Sequence, residues 1–326
     1  MQFRTELNSL PTTKKISYQD KIVTIGSCFS QVIGERLLNN KFEVLTNPFG
    51  TIFNPISIFR LLQQPIDKSI VEGTIENKGV WFNHHVHSSI NATSKELLNS
   101  TLIDIINQFT LSFKNATTLI ITFGTAFVYK QKSTNELVAN CHKIPSDFFT
   151  KSLLSTEEIV VSFGTLYAQL KKQSPGLEII LTVSPVRHTK DTLELNSVSK
   201  SILRLACHEI SQQFSDVLYF PSYELMMDDL RDYRFYKEDM IHPTEVAEEY
   251  IWNKFSELYF DTATSEIIKE WSAVSKALQH KPFREDSQEY KKFLSSTLKR
   301  LELLEGKINV SEEITTIKNN YSTIKF

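Results

Sequence analysis

Four short apolar runs, each set apart from the next by a segment of helical period, constrain this chain more than any other feature. They are Lys21–Ile25 (KIVTI), Leu119–Phe123 (LIITF), Glu178–Val183 (EIILTV) and Val217–Phe220 (VLYF). Short continuous apolar runs of this kind read as strands buried on both faces. Helical patterns cover Ser30–Asn40, Lys95–Phe113, Thr156–Gln173 and Thr192–Phe214. Strands alternating with such helices imply right-handed crossovers and a mainly parallel sheet. The expected fold is a three-layer α/β architecture.

The last third changes character. Thr244–Tyr259 is amphipathic, with Val246, Ala247, Tyr250, Ile251, Phe255 and Leu258 on one stripe. Thr244 suits its N-cap, and Glu245 complements the positive helix end. Further helices are expected over Ser265–Gln279 and Asp286–Glu305. The second carries Tyr290, Leu294, Leu298 and Leu301 at helical spacing, with Gly306 as its stop. The chain therefore divides into a body, residues 1–260, and a helical extension, residues 261–326. Copies of the chain could associate through that extension.

Composition removes several classes. Lysine and arginine number 36 against 38 acidic residues, a net charge of -2, whereas nucleic-acid binders carry a strongly basic face. No apolar run reaches the roughly 18 residues of a membrane span, and the first twenty residues lack a secretory apolar core. Three cysteines, Cys28, Cys141 and Cys207, are too few and too scattered for a disulfide framework. The expectation is a cytoplasmic protein with neither nucleic-acid nor membrane partners. There are 9 glycines, where average usage predicts about 23, so each one left invites a reason.

Two places could carry chemistry. Gly26-Ser27-Cys28-Phe29 ends the first strand. In a parallel sheet, sites form at the carboxyl ends of strands, and a nucleophile there lies near the free N–H groups of a helix start. The competing expectation is an ordinary loop with Ser27 or Ser30 as the N-cap. The second place is Asp239-Met240-Ile241-His242-Pro243. An Asp three residues before a His can hold one ring nitrogen and leave the other to take a proton from a serine. No H-E-x-x-H or C-x-x-C pattern is present, so neither metal nor cofactor is expected.

Gly26-Ser27-Cys28-Phe29-Ser30 resembles the namesake motif of the GSCFA family, with Ser30 in place of its final Ala. Asn47-Pro48-Phe49-Gly50-Thr51, Phe123-Gly124-Thr125-Ala126, Asn140-Cys141-His142-Lys143, Ser184-Pro185-Val186-Arg187-His188 and Asp239–Pro243 resemble that family too. The family is similar to the SGNH, or GDSL-like, hydrolases, esterases of three-layer, flavodoxin-like α/β/α architecture. That likeness implies Ser27 as nucleophile, His242 as general base and Asp239 as its orienter, cleaving an ester through an acyl-enzyme. It implies an oxyanion hole of the Ser27 N–H, Gly50 and a third-block asparagine. Ala126 stands where that asparagine is expected, which leaves Asn140 or His142 from the following loop as the substitute.

His87, Gly124, Thr125, His142, Arg187 and His188 are the expected substrate-binding residues, with Arg187-His188 facing a polar or anionic group. His85 and His87, if in a strand, would share a face. Cys28 is the rival nucleophile, expected to be a buried structural thiol. The aromatic and charged run from Tyr219 to Tyr236 reads as a packed loop leading into the Asp239–His242 pair, or as a wall for sugar rings. The expected substrate is a small-molecule or carbohydrate ester. The alternatives are an acyltransferase with the same triad, or a non-catalytic carbohydrate-binding protein on the same fold.

Overall fold

The structure is a computed structural model that describes residues 5–7, 12, 14–63, 69–280, 283–284 and 287–323. In chain order, β1 (Lys21–Gly26), α1 (Cys28–Asn39), β2 (Glu43–Thr46) and α2 (Pro55–Leu62) come first. A hairpin of β3 (Thr74–Asn77) and β4 (Val80–Asn83) follows, then α3 (Lys95–Lys114) and β5 (Thr118–Phe123). Next are β6 (Phe127–Gln131), β7 (Leu137–Val138) and β8 (Phe149–Leu153), which form a small antiparallel sheet. The body closes with α4 (Thr156–Gln173), β9 (Glu178–Val183), α5 (Leu193–Gln213), β10 (Val217–Phe220), the short α6 (Ser222–Glu224) and α7 (Glu245–Tyr259). Helices α8 (Thr262–Leu278), α9 (Gln288–Leu304) and α10 (Ser311–Thr323) complete the chain. The start of the expected Asp286–Glu305 helix, at Asp286, lies outside the described residues.

The central sheet is parallel, in the order β10-β9-β5-β1-β2. Counted along the chain this is 2-1-3-4-5, a flavodoxin-like order whose direction reverses between β1 and β5. Alternate residues feed opposite faces, as the strand period of two requires. Val23, Ile25, Leu119, Ile121, Ile179 and Leu181 pack with α2, α3, α4 and α5. Ile22, Ile120, Ile180 and Phe220 pack with α1 and α7. Both faces are covered, which is why these strands read as unbroken apolar runs.

The expected α/β three-layer fold with C-terminal helices is what the chain adopts. Four strands and seven of the helices fall where the patterns place them, within a few residues. Strand β2 is the unanticipated fifth. It sits at the sheet edge with Glu43 exposed and Val44, Leu45 and Thr46 half-buried, so it lacks the apolar signature of its neighbours.

Candidate active site

The carboxyl ends of β1, β5, β9 and β10 meet along one edge, and Gly26 lies opposite Thr122 in the register. Gly26 has φ 138°, and a Cβ there would overlap the Thr122 carbonyl. Only glycine lets β1 turn into α1 this close to β5. Ser27 occupies the N-cap position of α1 without making a side-chain cap bond. The N-cap side chains of α2, α3, α4, α5, α7, α8 and α9 all accept a backbone N–H. The Ser27 hydroxyl is buried and has no hydrogen-bond partner. Its use as a helix cap is thereby excluded in this arrangement.

Asp239 and His242 form the second half. His242 Nδ1 lies 2.7 Å from Asp239 Oδ2, while Asp239 Oδ1 accepts the N–H groups of Ile241 at 2.9 Å and His242 at 3.0 Å. These bonds, the His242 backbone N–H foremost, hold the Asp239 carboxyl well below the usual carboxylate range. Asp239 therefore stays an acceptor for the His242 Nδ1 proton, which turns Nε2 to the other side of the ring. Both side chains are half-exposed, and no hydrogen bond joins Ser27 Oγ to His242.

The loop after β9 spans the gap. Arg187 N–H donates to Ile241 O at 3.2 Å, and its guanidinium stacks 3.9 Å from the Tyr236 ring centroid. His188 packs edge-on against Phe53, with centroids 5.0 Å apart, and feels the charges of both Lys200 and His242. Burial pulls the His188 pKa down to about 4. Phe53 and Ser27 Cβ both crowd the space beside Gly124. Ser27, Gly124, Phe53 and His188 are thus contiguous. A cleft of about 100 Å³ lies between Arg187, Met226, Met227, Asp232, Tyr233 and Tyr236. The 219–236 run is not a loop but the end of β10 followed by short helical turns, with Phe220, Leu225, Met226, Leu230 and Tyr236 buried and residues 231–234 exposed.

The expected backbone donors are occupied. Ser27 N–H donates to Thr122 O at 3.0 Å, and Gly50 N–H closes a turn onto Asn47 O at 2.8 Å. Thr125 spends its hydroxyl on Ser199, at 3.1 Å, inside the protein. Ala126 is fully buried. Asn140 and His142 pack with the β3–β4 hairpin. There His142 Nε2 meets Asn83 O at 2.8 Å, and His84 Nδ1 meets Asn140 O at 2.9 Å. His142 is held at about 4 by burial. His85 and His87 do not share a strand face, because β4 ends at Asn83 and a turn follows. His87 abuts Gly50, which links this cluster to the 47–50 turn. No cluster of three metal-ligating side chains exists among the described residues.

Lys200 is the residue that pattern-reading missed. It lies on α5, fully buried, and its ammonium donates to Gly124 O at 2.8 Å and Ser184 O at 2.7 Å. It joins the ends of β5 and β9 directly behind the Ser27 turn. Desolvation lowers its pKa to about 7. The available signal was a lysine on the apolar stripe of a helix, between Ser199 and Leu203. Cys28 is half-buried, and desolvation raises its thiol pKa, against the lowering field of Lys200.

Residues 21–255 match the model of the GSCFA family, and residues 271–323 match the GSCFA domain protein, C-terminal domain. No curated protein matches the chain. A solved structure from Streptococcus pneumonia, provisionally described as a platelet activating factor, superposes with a TM-score of 0.37. That pair shares 10% identity over 74% of this chain and 84% of the other.

Proposed function

The chain belongs to the GSCFA family, and from that premise we propose a serine hydrolase that cleaves an ester through Ser27, His242 and Asp239. The carrying observation is the buried, unpartnered Ser27 hydroxyl at the reversal point of the sheet. Leaving a buried hydroxyl unpaired costs about 1–3 kcal/mol, and a nucleophile explains why that cost is retained. In the reaction Ser27 Oγ attacks the ester carbonyl as His242 Nε2 takes its proton. The alcohol then leaves with that proton, and His242 activates water to free the acid. Transfer requires Ser27 Oγ and His242 Nε2 to approach to about 2.6–3.2 Å, closer than they stand in the structure, where no hydrogen bond joins them.

The aromatic and cationic lining of the cleft beside Arg187 fits an acylated sugar, with ring faces on Tyr233 and Tyr236. Three unpaired thiols fit a cytoplasmic setting, and among the described residues no helix is long and apolar enough to cross a membrane. The separate apolar core of α8–α10 supports dividing the chain at residue 260 into a catalytic body and an extension.

The test is a fluorophosphonate probe, which should label the wild type and Cys28→Ala but not Ser27→Ala. Labelling lost in Cys28→Ala alone would move the nucleophile to the thiol. The other reading, a non-catalytic sugar-binding protein, is favoured by Ala126 at the donor position. Hydrolysis of p-nitrophenyl acetate that disappears in His242→Ala decides against it.

A further inference from the structure

Attack by Ser27 leaves a full negative charge on the former carbonyl oxygen, and that charge needs donors with no other acceptor. The backbone on either side of the Ser27 turn offers few. Ser27 N–H is bonded to Thr122 O, Gly50 N–H to Asn47 O, and the N–H groups of Gly124 and Thr125 both to Phe53 O, at 2.8–3.1 Å. Ala126 N–H goes to Ser199 Oγ at 2.8 Å, and its methyl donates nothing. The N–H groups of Cys28 and Phe29 at the start of α1 oppose the rise that burial gives the Cys28 thiol.

Among the buried side-chain donors without a partner near the turn, which include the Ser30 and Thr122 hydroxyls, the Asn47 amide is the one fixed in direction. Asn47 follows β2 and is 6% exposed. Its backbone is pinned on both sides, N–H to Thr24 O at 2.9 Å and carbonyl to Gly50 N–H at 2.8 Å. Its φ is 40°, a left-handed conformation that asparagine tolerates better than most residues. The side chain reaches back to β1, where Oδ1 accepts the Gly26 N–H at 2.9 Å. Because Gly26 N–H can only donate, the oxygen must face it, and this fixes the amide's orientation. Nδ2 is then left buried with no acceptor, on a side chain whose oxygen is bonded to Gly26, the residue before Ser27. Ser27 Oγ and Thr122 Oγ1 are buried and unpartnered at the same strand ends.

We propose that Asn47 Nδ2 is the side-chain donor of the oxyanion hole, replacing the asparagine that Ala126 displaces. The inference rests on the serine-hydrolase reading. It makes Asn47 a catalytic residue whose contact strengthens as the tetrahedral intermediate forms. Its left-handed backbone and back-bonded side chain are what place the donor.

Asn47→Asp tests it with little change of shape. The aspartate keeps an oxygen for Gly26 N–H and removes the donor. The expected result is kcat for an activated ester lowered by about 10²–10³-fold with KM nearly unchanged. Affinity for a boronic acid that forms a tetrahedral adduct on Ser27 should fall in parallel, whereas affinity for the product acid should not. A purely structural role would lower the melting temperature and leave that contrast between ligands absent. Asn47→Gly, whose backbone accepts φ 40° without strain, carries the same comparison should the aspartate variant fail to fold. Wild-type kcat in a folded Asn47 variant overturns the inference alone. A wild type that neither hydrolyses esters nor takes the probe overturns the hydrolase reading and this inference with it.

Discussion

Ser27 and Gly26 divide the demands of the β1–α1 turn. Gly26 supplies a backbone conformation that other residues rarely adopt, against the Thr122 carbonyl, and Ser27 supplies the hydroxyl. Gly26→Ala should therefore destabilise the fold by about 2–4 kcal/mol through strain and overlap, read as a lower urea midpoint with an unchanged m-value. Asp239 acts through the ring it holds. Asp239→Asn loses the carboxylate that keeps the His242 proton on Nδ1, and kcat should fall by roughly 10²–10⁴-fold while the melting temperature, for so exposed a side chain, hardly moves. The Gly26-Ser27 and Asp239–His242 pairings were legible because both are local. Each links groups within a few residues, so spacing alone constrains their geometry.

Helix α5 shows what periodicity conceals. Lys200 sits among Ser199, Leu203, Ala206, Cys207 and Ile210 on the buried stripe, where a pattern reader expects an apolar residue and discounts a lysine. Its two carbonyl acceptors directly follow β5 and β9, 76 and 16 residues away in sequence, a pairing that no local rule can produce. The pH consequence has a definite sign. Between about pH 7 and 10.5 the folded chain releases the Lys200 proton while the unfolded chain still holds it, so stability rises with pH across that window. Denaturant titrations at about pH 7 and 9 should show the wild type gaining about 2–3 kcal/mol relative to Lys200→Met. An equal gain in both proteins would mean that the ammonium does not titrate there. Edge strand β2 illustrates the complementary limit. Covered on fewer sides, it needs fewer apolar residues, and so it leaves a weak pattern.

Across the whole molecule, the C-terminal helices have a core of their own and are fastened to the body at the far end of α1. Trp271 Nε1 donates to Asn39 O at 2.6 Å, Lys41 pairs with Glu313 at 2.5 Å, and the Lys41 ammonium lies 4.8 Å over the Trp271 ring. Tyr18 packs against the cores on both sides of the junction. Trp271→Ala should weaken this docking by about 3–5 kcal/mol, seen as faster proteolysis within residues 261–323. Twelve residues of α1, roughly 18 Å of helix, separate this anchor from Ser27. Fluorophosphonate labelling should therefore survive the substitution.

The sequence by itself determined the architecture and the local halves of the site. Strand and helix periods reflect burial on two faces or one, and a serine turn or an Asp–His pair is fixed by a handful of consecutive torsions. Tertiary structure alone decided which donors are free. Whether the N–H of Ser27 or Gly50 can meet an oxyanion depends on acceptors at Thr122 and Asn47, brought near by β5 and by a tight turn. The same packing bonded Asn140 to His84 and His142 to Asn83, buried Lys200 behind the Ser27 turn, and left the Asn47 amide without an acceptor. Hydrogen-bond saturation is a property of the whole assembled neighbourhood, so it cannot be read along the chain.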